Sequence, residues 1–157
     1  MEFYTLASGS SGNCSLVRAG KTTLLIDAGI SCRRIEHSLR TLGLTLGDLT
    51  AVLITHEHSD HVSGLATLTK KYAAPVYVTR GASHILTCPV SSFTAGGTLT
   101  FADCTVRSFS TSHDAADPVG YRVDADDGSL GILTDTGFVT DAAAETLLGV
   151  DTLLLEA

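Results

Sequence analysis

The segment Thr55-His56-Glu57-His58-Ser59-Asp60-His61 constrains this chain more than any other, because it sets three imidazoles and Asp60 within six residues. It follows directly on the apolar run Ala51-Val52-Leu53-Ile54, which reads as a short strand buried on both faces. A loop at the exit of such a strand lets side chains two residues apart converge, which a strand or a helix would not. Imidazole together with carboxylate suits zinc, manganese, iron or nickel. The spacing divides the donors: His56 and His58 turn toward one ion, and Asp60 and His61, at the start of the next helix, turn toward a second. Asp60 is also a candidate cap for that helix and the candidate catalytic carboxylate. Two ions roughly 3.5 to 4 Å apart can share a water, lower its pKa and present hydroxide to an electrophilic carbon or phosphorus. The alternative is a solvated histidine-rich loop, and three of the chain's six histidines falling here weighs against it.

Four groups do not fill the inner shells of two ions, so further donors are expected at other strand ends. His113 stands in Ser110-Thr111-Ser112-His113-Asp114, after a β-rich run. Asp135 stands in Gly131-Ile132-Leu133-Thr134-Asp135-Thr136-Gly137, where its two oxygens could bridge two ions. In isolation each has a plainer reading, a surface or satisfied core histidine and a turn or capping aspartate. The neighbouring cluster turns both into ligand candidates. His37 and His84 lie in helical stretches without partners and are read as ordinary surface or half-buried residues.

Short strand-like runs and helical patches alternate along the chain, punctuated by Gly and Pro. Residues 15–18 and 22–26 read as two strands joined by a tight turn at Ala19-Gly20-Lys21. Ile35, Leu39 and Leu42 recur at helical spacing over residues 31–42, and Gly43 ends that amphipathic helix. Further on, 62–72 reads as a helix, 75–79 as a strand, 82–86 as a short helix and 98–110 as β-rich. Residues 120–123 and 130–133 form a strand pair turning at Asp126-Asp127-Gly128, 141–148 a helix, and 151–157 an apolar strand.

With 157 residues the chain is read as one domain, 1–157, and 44% hydrophobic against 17% charged residues allows a sizeable core. The net charge of −7 would repel nucleic acid or an anionic membrane overall, but each divalent ion reverses the sign where an anionic substrate would sit. Met1-Glu2-Phe3-Tyr4-Thr5 lacks the basic-then-apolar pattern of a secretory signal, and no apolar stretch approaches the roughly 20 residues of a membrane span. Cys14, Cys32, Cys88 and Cys104 form no C-x-x-C pair, which excludes a zinc ribbon or a thioredoxin-type motif. They read as reduced, buried thiols of a cytoplasmic protein.

His56, His58, Asp60 and His61 match the H-x-H-x-D-H motif of the metallo-β-lactamase superfamily, and His113 and Asp135 follow in that family's order. The chain resembles that superfamily. Ser8-Gly9-Ser10-Ser11-Gly12-Asn13, Leu25-Ile26-Asp27-Ala28-Gly29, Pro118-Val119-Gly120-Tyr121 and Leu154-Leu155-Glu156-Ala157 look like its WalJ/YycJ-type branch. The resemblance implies an α/β architecture, an αββα sandwich with the metals at one sheet edge, and two divalent ions, zinc or manganese. It further implies a metal-dependent hydrolase, a phosphodiesterase or DNA exonuclease using a metal-bound hydroxide, with DNA as partner and no membrane. Asp27 is expected to orient a ligand histidine, and Asp114 either does the same or is a solvated loop residue. The Ser/Gly loop either offers backbone N–H groups to a phosphate or permits a tight turn.

A family domain of this kind continues further, with another β-layer and a final histidine ligand, whereas no histidine follows His113. The chain therefore resembles roughly the first three fifths of a domain, a sandwich lacking its C-terminal part. Its closing apolar strand suggests a missing partner segment or self-association. Two other functions compete: hydrolysis of a thioester, lactone or lactam by the same centre, and a truncated, non-catalytic metal-binding domain.

Overall fold

A computed structural model describes residues 1–157. Eleven strands form two sheets. The first contains β1 (Glu2–Ala7), β2 (Cys14–Ala19), β3 (Thr22–Ile26), β4 (Ala51–Leu53), β5 (Val76–Thr79) and β6 (Ser91–Phe93), in that spatial order. β1, β2 and β3 are antiparallel neighbours, and β3 through β6 run parallel. The second sheet contains β7 (Thr98–Thr100), β8 (Cys104–Ser110), β9 (Val119–Ala125), β10 (Gly128–Leu133) and β11 (Thr152–Leu155), ordered β11-β10-β9-β8-β7. Only β11 joins it in parallel.

The period of two along each strand decides the layers. Val17, Leu24, Ile26 and Leu53 point from the first sheet at Val106, Tyr121, Val123, Leu130 and Ile132 of the second, making the core between sheets. The alternate residues Leu16, Leu25, Val52 and Val78 face the other way, against Ile35 and Leu39 of α1 (Cys32–Thr41) and Leu65 and Leu68 of α3 (Leu65–Lys71). On the outside of the second sheet Phe109 and Leu133 pack on Ala143 and Leu147 of α4 (Asp141–Leu147). The layers are thus helix, sheet, sheet, helix, the expected αββα sandwich. Truncating one of these fully buried leucines to Ala would cost about 2 to 5 kcal/mol.

The elements depart from the sequence reading in four places. The helix expected over 62–72 is two helices, α2 (Ser59–Val62) and α3, because Gly64 N–H leaves the helical ladder to donate to the Ala28 carbonyl at 2.8 Å. Residues 82–85 form turns whose backbone bonds reach three residues back, Ala82 to Thr79 and Ile85 to Ala82, so no α-helix forms over 82–86. Strands β1 and β6 had no counterpart in the pattern, since both are edge strands with exposed or half-buried side chains. Asp60 lies inside the first turn of α2, the cap position belongs to His58, and no side chain caps that helix.

β11 is the other outer strand of the second sheet, and Leu153 and Leu155 on it are exposed, as are Phe138, Val139 and Leu148 nearby in sequence. All four cysteines are free thiols, three of them buried. No helix is long and apolar enough to cross a membrane.

Candidate metal centre

The site is a product of strand direction. β3 and β4 are parallel and end at the same edge, which β2, running antiparallel, leaves from its start. Asp27 follows β3, the His56-to-His61 loop follows β4, and Asn13 precedes β2. In the second sheet His113 lies between β8 and β9, and Asp135 follows β10. Two bonds tie the sheets together here: Tyr121 OH donates to the Ile54 carbonyl at 2.5 Å and Val119 N–H to the Thr55 carbonyl at 3.0 Å. Glu57 adds a third tie, accepting the Ala116 N–H at 2.9 Å on the loop that carries His113.

Five of the six expected ligand residues come together in two overlapping groups, His56 with His58 and His113, and His56 with His61 and Asp135. Within each group the donor atoms lie within 4.8 Å of one another. His113 Nε2 is 3.2 Å from His58 Nδ1. Asp135 Oδ2 stands 2.6 Å from His61 Nε2 and 3.9 Å from His56 Nε2, between the two groups. Asp60 is in neither trio, but its Oδ2 is 3.7 Å from His61 Nε2. His37 and His84 are exposed and outside the cluster. Asp114 is exposed and so takes the solvated reading.

Asp27 sets the ring orientations. It accepts from Thr55 N–H at 2.8 Å, from Thr55 Oγ1 at 2.8 Å and from His61 Nδ1 at 2.7 Å. Since Thr55 gives its single hydroxyl proton to Asp27, the same oxygen must accept from His56 Nδ1, 3.0 Å away. Both His56 and His61 then carry Nδ1 protons and aim Nε2 at the site. Asp27 and Asp135 are the two non-glycine residues in the left-handed region, at φ 61° and 50°. Aspartate is among the side chains that tolerate this conformation, which turns each carboxylate sharply off its strand.

Metal fit is tested by a buried donor in the cluster that has no protein partner: His56 Nε2, like Glu57 Oε2 in the same loop and Arg18 Nε, is inaccessible and makes no hydrogen bond. An orphaned nitrogen of this kind is unfavourable unless something fills the space before it. Burial first, then the neighbouring His61, pushes the His56 pKa down to about 4. Burial acts in the same direction on His61, but the Asp27 hydrogen bond and the charges of Asp27, Asp135 and Asp60 outweigh it and carry the pKa up to about 9. One imidazole is thus neutral and one held cationic among carboxylates, the charge pattern of a donor set that a cation would neutralise. The residues present fit a divalent ion.

Sequence reasoning did not find the parts of Thr55, Glu57 and Tyr121. Asn13 closes the Ser8-to-Asn13 motif, and its N–H donates to the Asp60 carbonyl at 2.8 Å while its Nδ2 lies 3.2 Å from His61 Nε2. A polar residue closing a glycine loop was the available signal. That loop is a turn: Gly12 N–H donates to the Gly9 carbonyl and Gly9 N–H to Asn13 Oδ1, which leaves neither free for a phosphate.

Comparison with known proteins gives the family and the fold. The model of the Metallo-beta-lactamase superfamily matches residues 7–102. The chain is 36% identical to "Exodeoxyribonuclease YycJ" of Bacillus anthracis over 100% of its own length and 62% of that protein. It is 41% identical to "Exodeoxyribonuclease WalJ" of Streptococcus pneumoniae over 99% of its own length and again 62% of that protein. The chain therefore spans somewhat less than two thirds of these relatives. Among solved structures, a beta-lactamase from Chitinophaga pinensis superposes with a TM-score of 0.79 at 16% identity, covering 97% of this chain and 74% of that one.

Proposed function

Because this chain belongs to the metallo-beta-lactamase superfamily, we propose that it is a metal-dependent hydrolase acting on phosphodiester bonds, with DNA as its substrate and exonuclease action as its activity. The carrying observation is the meeting of His56, His58, His61, His113 and Asp135 in two overlapping groups, with Asp60 beside His61 and the buried His56 Nε2 without a hydrogen-bond partner. Support for DNA comes from the two relatives named exodeoxyribonucleases.

In this reading His56, His58 and His113 would hold one divalent transition-metal ion, zinc or manganese, and Asp60 and His61 a second, with Asp135 as a donor available to both. When bound, the ions supply Lewis acidity at phosphorus and a water of lowered pKa. The protein's own residues do the positioning. Asp27 and Thr55 keep the His56 and His61 rings turned so that Nε2 faces inward. Asp60, beside His61 Nε2, is the carboxylate assigned to the reaction as well as to the second ion. Glu57 and Tyr121 hold the two loops in register.

The test is metal analysis of protein purified without chelator, beside cleavage of end-labelled DNA. His58→Ala should remove most bound metal and chelator-sensitive cleavage, while His84→Ala should leave both unchanged. Equal metal loss from both variants would refute the donor assignment. Turnover of lactones or thioesters with no cleavage of any DNA would sink the nuclease reading.

A further inference from the structure

The side-chain amide of Asn13 is fixed in orientation by Gly9. Its Oδ1 accepts the Gly9 N–H at 3.1 Å and its Nδ2 donates to the Gly9 carbonyl at 2.9 Å, so the amide cannot be turned over without losing both bonds. One Nδ2 proton is thereby engaged. The other faces the Asp60 carbonyl and Oδ2, each at 3.4 Å, and His61 Nε2 at 3.2 Å.

None of these satisfies it well. A separation of 3.4 Å is long for an N–H···O bond. The Asp60 carbonyl already takes the backbone N–H of Asn13 at 2.8 Å. Asp60 Oδ2 and His61 Nε2 are the atoms assigned above to the second ion. The loop cannot easily swing the amide away, because Gly29 N–H donates to the Asn13 carbonyl at 2.9 Å and so pins the backbone on its other side. A part-buried N–H is therefore held against the donor set with only long contacts to Asp60 oxygens and a ring nitrogen of His61 to receive it. An amide NH2 has no lone pair to offer a metal, so it can act there only by donating.

We propose that Asn13 donates a hydrogen bond to an oxygen of the ligand held at the second ion, a non-bridging oxygen of the substrate phosphate. This rests on the metal-dependent phosphodiesterase reading and gives that site a substrate-contacting residue outside its metal donors. The contribution of the Ser8-to-Asn13 loop to phosphate recognition is then one side-chain amide, while the Gly9 and Gly12 N–H groups close the turn.

Calorimetric titration of inorganic phosphate into manganese-loaded protein, together with the manganese affinity of each variant, tests this. Phosphate binding by the unaltered protein should require the metal. Asn13→Ala should weaken it by roughly 10- to 100-fold, the range for a hydrogen bond to a charged oxygen, with manganese affinity changed less than about threefold. Asn13→Asp keeps an acceptor for Gly9 N–H and sets a carboxylate beside His61 Nε2; it should weaken phosphate at least as much while manganese binds equally or more tightly. Parallel loss of phosphate and manganese in both variants would reduce Asn13 to a brace for the loop. Unchanged phosphate affinity in either variant, or metal uptake without any phosphate binding, overturns the Asn13 proposal alone. Failure of the unaltered protein to take up metal overturns the functional reading and this proposal with it.

Discussion

Replacing Asp27 with Asn removes one charge and keeps the shape, and the geometry dictates where the damage falls. Asp27 is buried and accepts three hydrogen bonds, two from Thr55 and one from His61 Nδ1. Asparagine can still accept from the Thr55 N–H through its oxygen, but its NH2 then meets the Thr55 hydroxyl and the His61 Nδ1–H, both donors. His61 is driven to the other tautomer, with its proton on Nε2, the nitrogen that faces Asp135 at 2.6 Å. Two hydrogen bonds to a buried charge are lost, each about 1.5 to 3 kcal/mol, partly offset by the new acceptor arrangement of Thr55. The expected net loss is about 3 kcal/mol, which for a chain of this size lowers Tm by roughly 10 °C. Affinity for the second ion should fall by about 10- to 100-fold, as for other groups that orient a ligand, and the first ion should be affected less. Thermal melts of metal-free protein and a competitive chelator titration with manganese or zinc measure both. Two ions retained at unchanged affinity would refute the idea that Asp27 sets the His61 tautomer, whatever the melting temperature did.

The metal-free protein should be most stable near pH 6 to 7. The His61 pKa is raised to about 9, so its contribution is fully present below its ordinary 6.5 and is lost as pH rises through about 9. The His56 pKa is lowered to about 4, so stability also declines as pH falls from 6.5 through about 4, where the unfolded chain binds the proton first. Each arm is worth on the order of 3 kcal/mol, and urea midpoints of chelator-treated protein across pH 4 to 9 check the shape; a flat profile would contradict it. Gly29→Ala should destabilise by about 2 kcal/mol or more and weaken the second ion, because a Cβ there would land on the Asp60 carbonyl, backbone that has no free direction to move. Gly47→Ala, whose Cβ would meet only Thr45 Oγ1 at 3.4 Å, should change stability by less than about 0.5 kcal/mol, and equal effects in the two variants would argue against the close approach.

Much of the fold was legible because its signals are local. The strands at β3, β4, β9 and β10 are apolar runs with turn residues between them, and α1 shows its buried stripe at Ile35 and Leu39. The histidine cluster was legible for the same reason, since His56, His58, Asp60 and His61 lie within one loop and its helix. Where the readings failed, a partner distant in sequence made the decision. β6 is a strand only because Ser91, Ser92 and Phe93 pair with β5, and nothing in those side chains requires it. The apolar residues Ala82, Ile85 and Leu86 look helical in spacing, but a stretch so short cannot pay the nucleation penalty of an α-helix and settles into turns.

The sequence by itself therefore determined the donor types and the alternation of strands and helices, through side-chain chemistry and the periods of strand and helix, while the sandwich was implied by the family resemblance. Tertiary structure alone decided how the donors are aimed. His61 meets Asp27 across 34 positions, Asp60 meets Asn13 across 47, and His58 meets His113 across 55. Those meetings depend on β2, β3 and β4 presenting their ends at one edge and on Tyr121 tying the second sheet to the first there. Hydrogen bonding fixes which ring nitrogen faces inward, and it acts over about 3 Å between atoms that only the folded chain brings together.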